Sequence, residues 1–166
     1  MPDSPSVRER IINQVLAALA TVENVGHVAK PAVEFGRESA GTNCLLKVYF
    51  TADISDRDMP DWPTDMFVFN CHVEVEVPKS VLTAMGLEPL QACARLHSRL
   101  TRVMTSMDGP SSGGQWPENG NLLASWTMVI GGGQPYFRDL EEQSLETESA
   151  FMIFYRHALG QPEVPV

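Results

Sequence analysis

The alternation of apolar and polar residues is sharpest over residues 66–78, MFVFNCHVEVEVP. Phe67, Phe69, Cys71, Val73, Val75 and Val77 fall on one parity; Met66, Val68, Asn70, His72, Glu74 and Glu76 fall on the other. An extended chain points alternate side chains to opposite faces, so this stretch predicts a long strand with one oily face and one face that grows wetter along its length. The other elements can be read as pairing with it or covering it. Leu45–Thr51 predicts a second strand, with Leu46, Val48 and Phe50 on one side. Leu122–Ile130 predicts a third, with Trp126, Met128 and Ile130 sharing a face, broken at Gly131–Gly133. Ser149–His157 predicts a fourth, with Phe151, Ile153 and Tyr155 on one face and Met152, Phe154 and Arg156 on the other. Val28 and Val33–Phe35 suggest a short strand interrupted by Pro31, which suits a sheet edge.

Two stretches carry the helical period instead. Within residues 4–22, Val7, Ile11, Val15, Ala18, Leu19 and Val22 form one stripe. Ser4 before Pro5, or Ser6 with Glu9 as a capping box, marks the start. Within residues 88–107, Leu90, Cys93, Leu96 (or His97), Leu100, Val103 and Met107 recur at three and four, flanked by Arg95, Arg99 and Arg102. A short turn of helix at 79–85 is closed by Gly86. The order of elements predicts an α+β fold: a mostly antiparallel sheet of four to six strands packed on two main helices on one face.

The chain of 166 residues has the length of one domain, 1–166, with room for a core. Long loops are expected at 52–65 and 108–121, an acidic connection at 131–148 with a short helix or extended arm inside it, and an extended, exposed tail at 158–166. The Gly, Pro, Ser and Asn content of 108–121 also admits disorder in isolation. No apolar run approaches the roughly 20 residues that cross a bilayer, and MPDSPSVRER lacks the layout of a secretory signal. Three cysteines, Cys44, Cys71 and Cys93, all in apolar or periodic segments, read as buried free thiols in a reducing cytosol.

The net charge of −9 argues against gripping nucleic acid from outside, which takes a basic patch. An acidic surface confers solubility, or lines a passage through which DNA slides without sticking. Candidate chemistry is sparse. Cys71 and His72 are adjacent, so in a strand they point apart and cannot share an ion. Asp53, Asp56, Asp58, Asp61 and Asp65 lack the order and closing Glu of a calcium loop. Gly131–Gly133 has no following lysine, and no G-x-S-x-G occurs. Neither a catalytic residue nor a metal or cofactor site is predicted. What stands out is hardware for contact: Trp62 and Trp116, each in a polar loop, and the tail after Tyr155-Arg156-His157. Either ring presents itself to a partner or folds back onto its own domain.

Three places resemble the tail terminator (tail completion or head–tail joining) proteins of long-tailed bacteriophages. The opening R-x-x-I-x-x-x-V-x-x-x-L pattern is met by Arg8, Ile11, Val15 and Leu19. The helix ending in Arg102-Val103-Met104, followed by the turn-rich stretch from Asp108 to Gly114, is similar to the family's second helix and glycine-bearing loop. Phe151-Met152-Ile153-Phe154-Tyr155-Arg156-His157, then Gly160-x-Pro162, resembles its final strand and proline-bearing tail. The match spans nearly the whole chain in order and length; the acidic 131–148 insertion is longer than the family pattern.

The resemblance implies a structural virion protein, assembled in the host cytoplasm, with no catalysis. It implies a ring, commonly of six subunits, that caps the tail tube and joins it to the neck or head-completion protein. DNA would pass through the bore without sequence-specific binding, and no membrane is involved. On that reading Trp62, Trp116, Arg156, Glu141, Glu142 and Glu146 are expected at subunit interfaces or the lumen. The alternatives are another neck or tube component of a phage or phage-like particle, a small non-catalytic binding domain and, from a different class, an enzyme.

Overall fold

The structure, a computed structural model, describes residues 4–29, 43–54, 66–137, 144–158 and 160–166. The long alternating stretch is the middle of the fold. It forms β3 (Met66–Pro78), paired antiparallel on one side with β2 (Cys44–Phe50) and on the other with β7 (Ser144–Ala158). The β3–β7 register runs without a bulge from Met66 opposite Arg156 to Pro78 opposite Ser144. Beyond β2 lies β1 (Val25–Ala29), which runs parallel to β2 at one edge of the sheet. Beyond β7 lies β6 (Ala124–Phe137) at the other edge. A last strand, β8 (Gln161–Pro165), turns back on the end of β7, and a two-stranded hairpin is made by β4 (Pro117–Glu118) and β5 (Asn121–Leu122).

Among the described residues three helices accompany the sheet: α1 (Val7–Leu19), α2 (Lys79–Met85) and α3 (Pro89–Thr105). With a mostly antiparallel six-stranded sheet, the fold is α+β. Helix α1 starts with the Ser6/Glu9 capping box. The Glu9 backbone N–H donates to Ser6 Oγ at 3.2 Å, and the Ser6 N–H donates to Glu9 Oε2 at 2.7 Å. These two bonds satisfy donors that a helix N-terminus otherwise leaves bare.

One core cluster explains the layering. Val7, Ile11, Val15, Ala18 and Leu19 of α1 and Cys93, Leu96, Leu100 and Met104 of α3 pack on Phe69, Cys71, Val73, Val75 and Val77 of β3, with Phe151, Ile153 and Tyr155 of β7. Full burial of each large apolar side chain contributes roughly 1.5–3 kcal/mol before conformational entropy is set against it. The opposite face carries a smaller cluster, Met66, Val68 and Phe154, with Ile54 and Met152 against it. Among the described residues the helices cover one face.

Several expectations need correction. Gly131–Gly133 does not end a strand: β6 continues to Phe137 through two β-bulges. Gly132 has φ +141°, and a Cβ there would lie 2.7 Å from His97 Nδ1 of α3, so helix and strand approach as they do because the side chain is missing. The expected 131–148 connection shrinks accordingly, since β7 begins at Ser144; residues 138–143 lie outside the described part. The 108–121 stretch is a set of turns and a hairpin, not a loose loop. Its anchor is Trp116, fully buried, whose Nε1–H donates to Thr127 Oγ1 at 3.1 Å while the Thr127 hydroxyl donates to the Gly114 carbonyl at 2.8 Å. Leu90 and Met107 are exposed; the stripe of α3 turns through Ala92 and Met104 instead. The tail is exposed, yet it pairs with β7 of its own chain. The expected Val33–Phe35 strand and most of the 52–65 loop lie outside the described residues.

Candidate association surface

The sheet's β6 edge is built from ASWTMVIGGGQPYF, fourteen residues without one charged side chain. Among the described residues the one strand that pairs with β6 is β7, and on its other side the Ala124 N–H donates to the Gln115 carbonyl at 2.8 Å, so beyond that end the strand is a sheet edge. Its side chains are also apolar and open. Trp126 is 40% exposed, Met128 50%, Ile130 49% and Tyr136 57%. Trp126 stacks on Phe154 of β7, with centroids 4.4 Å apart and rings 23° from parallel, which fixes it as a half-covered platform. Long, uncharged, apolar edges are what monomeric sheet proteins avoid; Pro135 and the bulges blunt part of this one, and no lysine or other charge guards it.

The helix side of the β6 edge is uncharged as well. His97 packs on Gly132 and Gly133, so its side of the helix faces β6. Leu90, Ala94 and Thr101 share that side by spacing of four, three and four. Leu90 and Ala94 are exposed, and none of the four carries a fixed charge. Trp126, Met128 and Tyr136, registered opposite Phe154, Met152 and Glu146, lie on the sheet face away from α3, so the β6 edge is uncharged on both of its sides on a chain of net charge −9.

The sheet face away from the described helices has a second character toward the other end of β3 and β7. The register sets Glu74 opposite Glu148 and Glu76 opposite Glu146. Like charges directly opposite are destabilising, so this row calls for counter-groups. Lys47 Nζ lies 3.7 Å from Glu76 Oε2, the Tyr49 hydroxyl donates to Glu74 at 3.1 Å, and His72 Nδ1 sits 2.9 Å from Glu148 Oε1. Four carboxylates thus share one row of this face, with Lys47, Tyr49 and His72 set among them.

A third cluster ties α1 to the sheet. Arg8 Nε lies 3.2 Å from Asp53 Oδ1, Arg8 donates to the Thr51 carbonyl at 2.6 Å, and its guanidinium sits 5.1 Å over the Phe69 ring. The Tyr155 hydroxyl donates to Asp53 Oδ2 at 2.9 Å. Burial, then the Asp53 carboxylate, push the Tyr155 phenol well above its usual range.

Among the described residues, one pairing that looks like reaction chemistry is His97 Nδ1 with Ser149 Oγ at 2.7 Å. Ser149 is fully buried, so no substrate reaches its hydroxyl. Burial also lowers the His97 pKa, which favours the neutral ring. The pair locks α3 onto β7. Among the described residues no group of three or more His, Cys, Asp or Glu is arranged to hold a metal ion.

The residues predicted from sequence are scattered. Trp116 takes the folded-back reading and belongs to the core, so it is withdrawn as a surface contact. Glu146 belongs to the acidic row of β7. Arg156, opposite Met66, is half-buried at the far end of the same strand, near the apolar cluster rather than near Glu146. Trp62, Glu141 and Glu142 lie outside the described residues. Sequence reasoning missed β6 as a surface, although its signal was legible: a long run with no charge. No protein-family model and no curated protein matches the chain significantly.

Proposed function

We propose that this chain is a structural virion protein of the phage neck, a tail terminator that closes the tail tube and joins it to the head connector as a homo-oligomeric ring, commonly of six subunits. The observation that carries the self-association is the uncharged, apolar, unpaired edge β6 on an otherwise acidic domain. A ring needs a head-to-tail contact, in which one patch meets a different patch on the next copy. The β6 edge with the adjoining side of α3 supplies one such patch.

The specific assignment to the tail terminators rests on the sequence resemblance. The residues that carry it occupy suitable elements. Ile11, Val15 and Leu19 form the buried stripe of α1, Arg102-Val103-Met104 ends α3, and residues 151–157 fill β7. The acidic row of Glu74, Glu76, Glu146 and Glu148 suits a bore wall, since like charge keeps DNA from adhering.

Native mass spectrometry and negative-stain microscopy of the purified chain test the ring. Closed rings support it; a monomer at high micromolar concentration counts against it. Termination is tested by deleting the gene from a phage that carries it. Overlong or headless tails are expected, and normal tails without the protein refute the assignment.

A further inference from the structure

We infer that β8 is an exchangeable strap that, in the assembled ring, leaves its own β7 and pairs with the β7 end of a neighbouring copy. The inference rests on the ring reading and deepens it by naming one of the contacts.

The first observation is how little holds β8 in place. Among the described residues it meets β7 at two registered positions, His157 opposite Pro165 and Ala158 opposite Gln161, with an irregularity between them. Pro162 and Pro165 have no N–H to give to a ladder. No side chain of the strand is buried: Gln161, Pro162, Glu163 and Val164 are exposed, and Pro165 is half-buried. Releasing it opens no hole in the core.

The second observation is that the slot it occupies is not specific to its own chain. Arg10 of α1 donates to the Glu163 backbone carbonyl at 2.6 Å through one guanidinium nitrogen and to Glu118 Oε2 at 2.6 Å through the other. Glu118 therefore holds Arg10 ready whether or not β8 is present. The partner that fits a slot shaped for one peptide segment is the same segment from another copy, since every copy carries both.

The third observation is the join. Gly160 sits at φ +74°, left-handed, and nothing lies within 4 Å of where its Cβ would be. A glycine also adopts an extended conformation readily. Straightening here would carry β8 away from its own β7 with its two exposed valines, Val164 and Val166, still unspent. Exchange reproduces inside the ring the same contacts that each copy loses, and it adds a covalent crossing between neighbours.

The test uses the full chain carrying Ala158→Cys and Gln161→Cys, a pair placed opposite each other in the ladder. The native Cys44, Cys71 and Cys93 are buried, so they add little background. The variant is assembled under reducing conditions, oxidised, denatured and run without reductant. Linked dimers and higher multiples from the ring fraction, with only monomer from a dilute sample, are expected. A ring fraction that yields monomer alone overturns the exchange while leaving the ring intact. No assembled fraction at any concentration overturns the ring reading, and this inference with it. A second measurement guards against a perturbed ladder: a chain ending at Ala158 should keep the melting temperature of the full monomer, while its rings dissociate at about tenfold higher concentration. Unchanged ring dissociation after removal overturns the inference.

Discussion

Replacing Met128 by lysine separates the two forces that act at the β6 edge. Met128 is half exposed in the monomer, so Met128→Lys removes little that folding depends on; surface changes of this kind cost about 0.5 kcal/mol or less. The long lysine stem can lie along the strand while its ammonium stays in water. Assembly is another matter. Covering the remaining half of Met128 is worth about 1 kcal/mol, and burying an unpaired ammonium costs several more. A loss of at least about 3 kcal/mol per interface corresponds to roughly a hundredfold weaker association.

The sign of the charge makes the test sharp. Lysine moves the net charge from −9 to −8, which lowers the general repulsion between copies. Any loss of assembly must then come from local burial at β6. Sedimentation velocity over a concentration series, beside circular dichroism melts, reads both effects. Met128→Gln, uncharged, should lie between wild type and lysine, at about a fivefold weakening. If Met128→Lys assembles within about threefold of wild type, β6 is not a subunit contact and the reasoning fails.

Three more outcomes follow from the core. Trp116→Ala should destabilise the monomer by about 3–5 kcal/mol, with protease cuts appearing in 108–121, because the indole is fully buried and anchors that stretch; an unchanged melt would contradict its role. Tyr155→Phe should cost about 1.5–3 kcal/mol near neutral pH, for a lost hydrogen bond to a carboxylate. Because the folded phenol pKa is raised, this stability is present below the unfolded value of 10.0 and lost as pH rises past it, so the gap between wild type and Tyr155→Phe should narrow in alkali in urea melts. Burial pushes the Cys44 thiol up to about 11 and the Cys71 thiol higher still. A thiol reagent at pH 8 should therefore label Cys44 and Cys71 only as fast as the chain unfolds, and immediate labelling of either would refute their burial.

Local patterning made much of the scaffold readable. The period-two alternation of 66–78 located β3 and its buried face, and the spacing of four along Val7, Ile11, Val15 and Leu19 located α1, whose start was legible as one of two caps, the Ser6/Glu9 box being the one formed. Misreadings fall where tertiary contacts set the answer. Glycines at 131–133 look like a stop in isolation; the strand runs on through them, and His97 of α3 occupies the space that side chains at Gly132 and Gly133 would fill. Thr147 and Ser149 hide the early start of β7, since both are polar yet buried. Trp116 sits among residues of turn composition and still enters the core, at φ +56°, held there by contacts more than ten residues away in sequence. The candidate surface was half visible. The shared parity of Trp126, Met128 and Ile130 is a one-dimensional fact, but which strand lies at the rim depends on the order β1-β2-β3-β7-β6, which no local pattern encodes.

The unbroken match between β3 and β7 also bears on how the protein is made. During synthesis β3 emerges with β2 available on one side, while its other neighbour begins roughly 65 residues later. At cellular elongation speeds of about 5–20 residues per second, that leaves one flank of the central strand bare for roughly 3–13 seconds. A nascent chain with an unmatched valine-rich ribbon is a natural client for a ribosome-bound chaperone, and its yield on expression should depend on how well that interval is guarded.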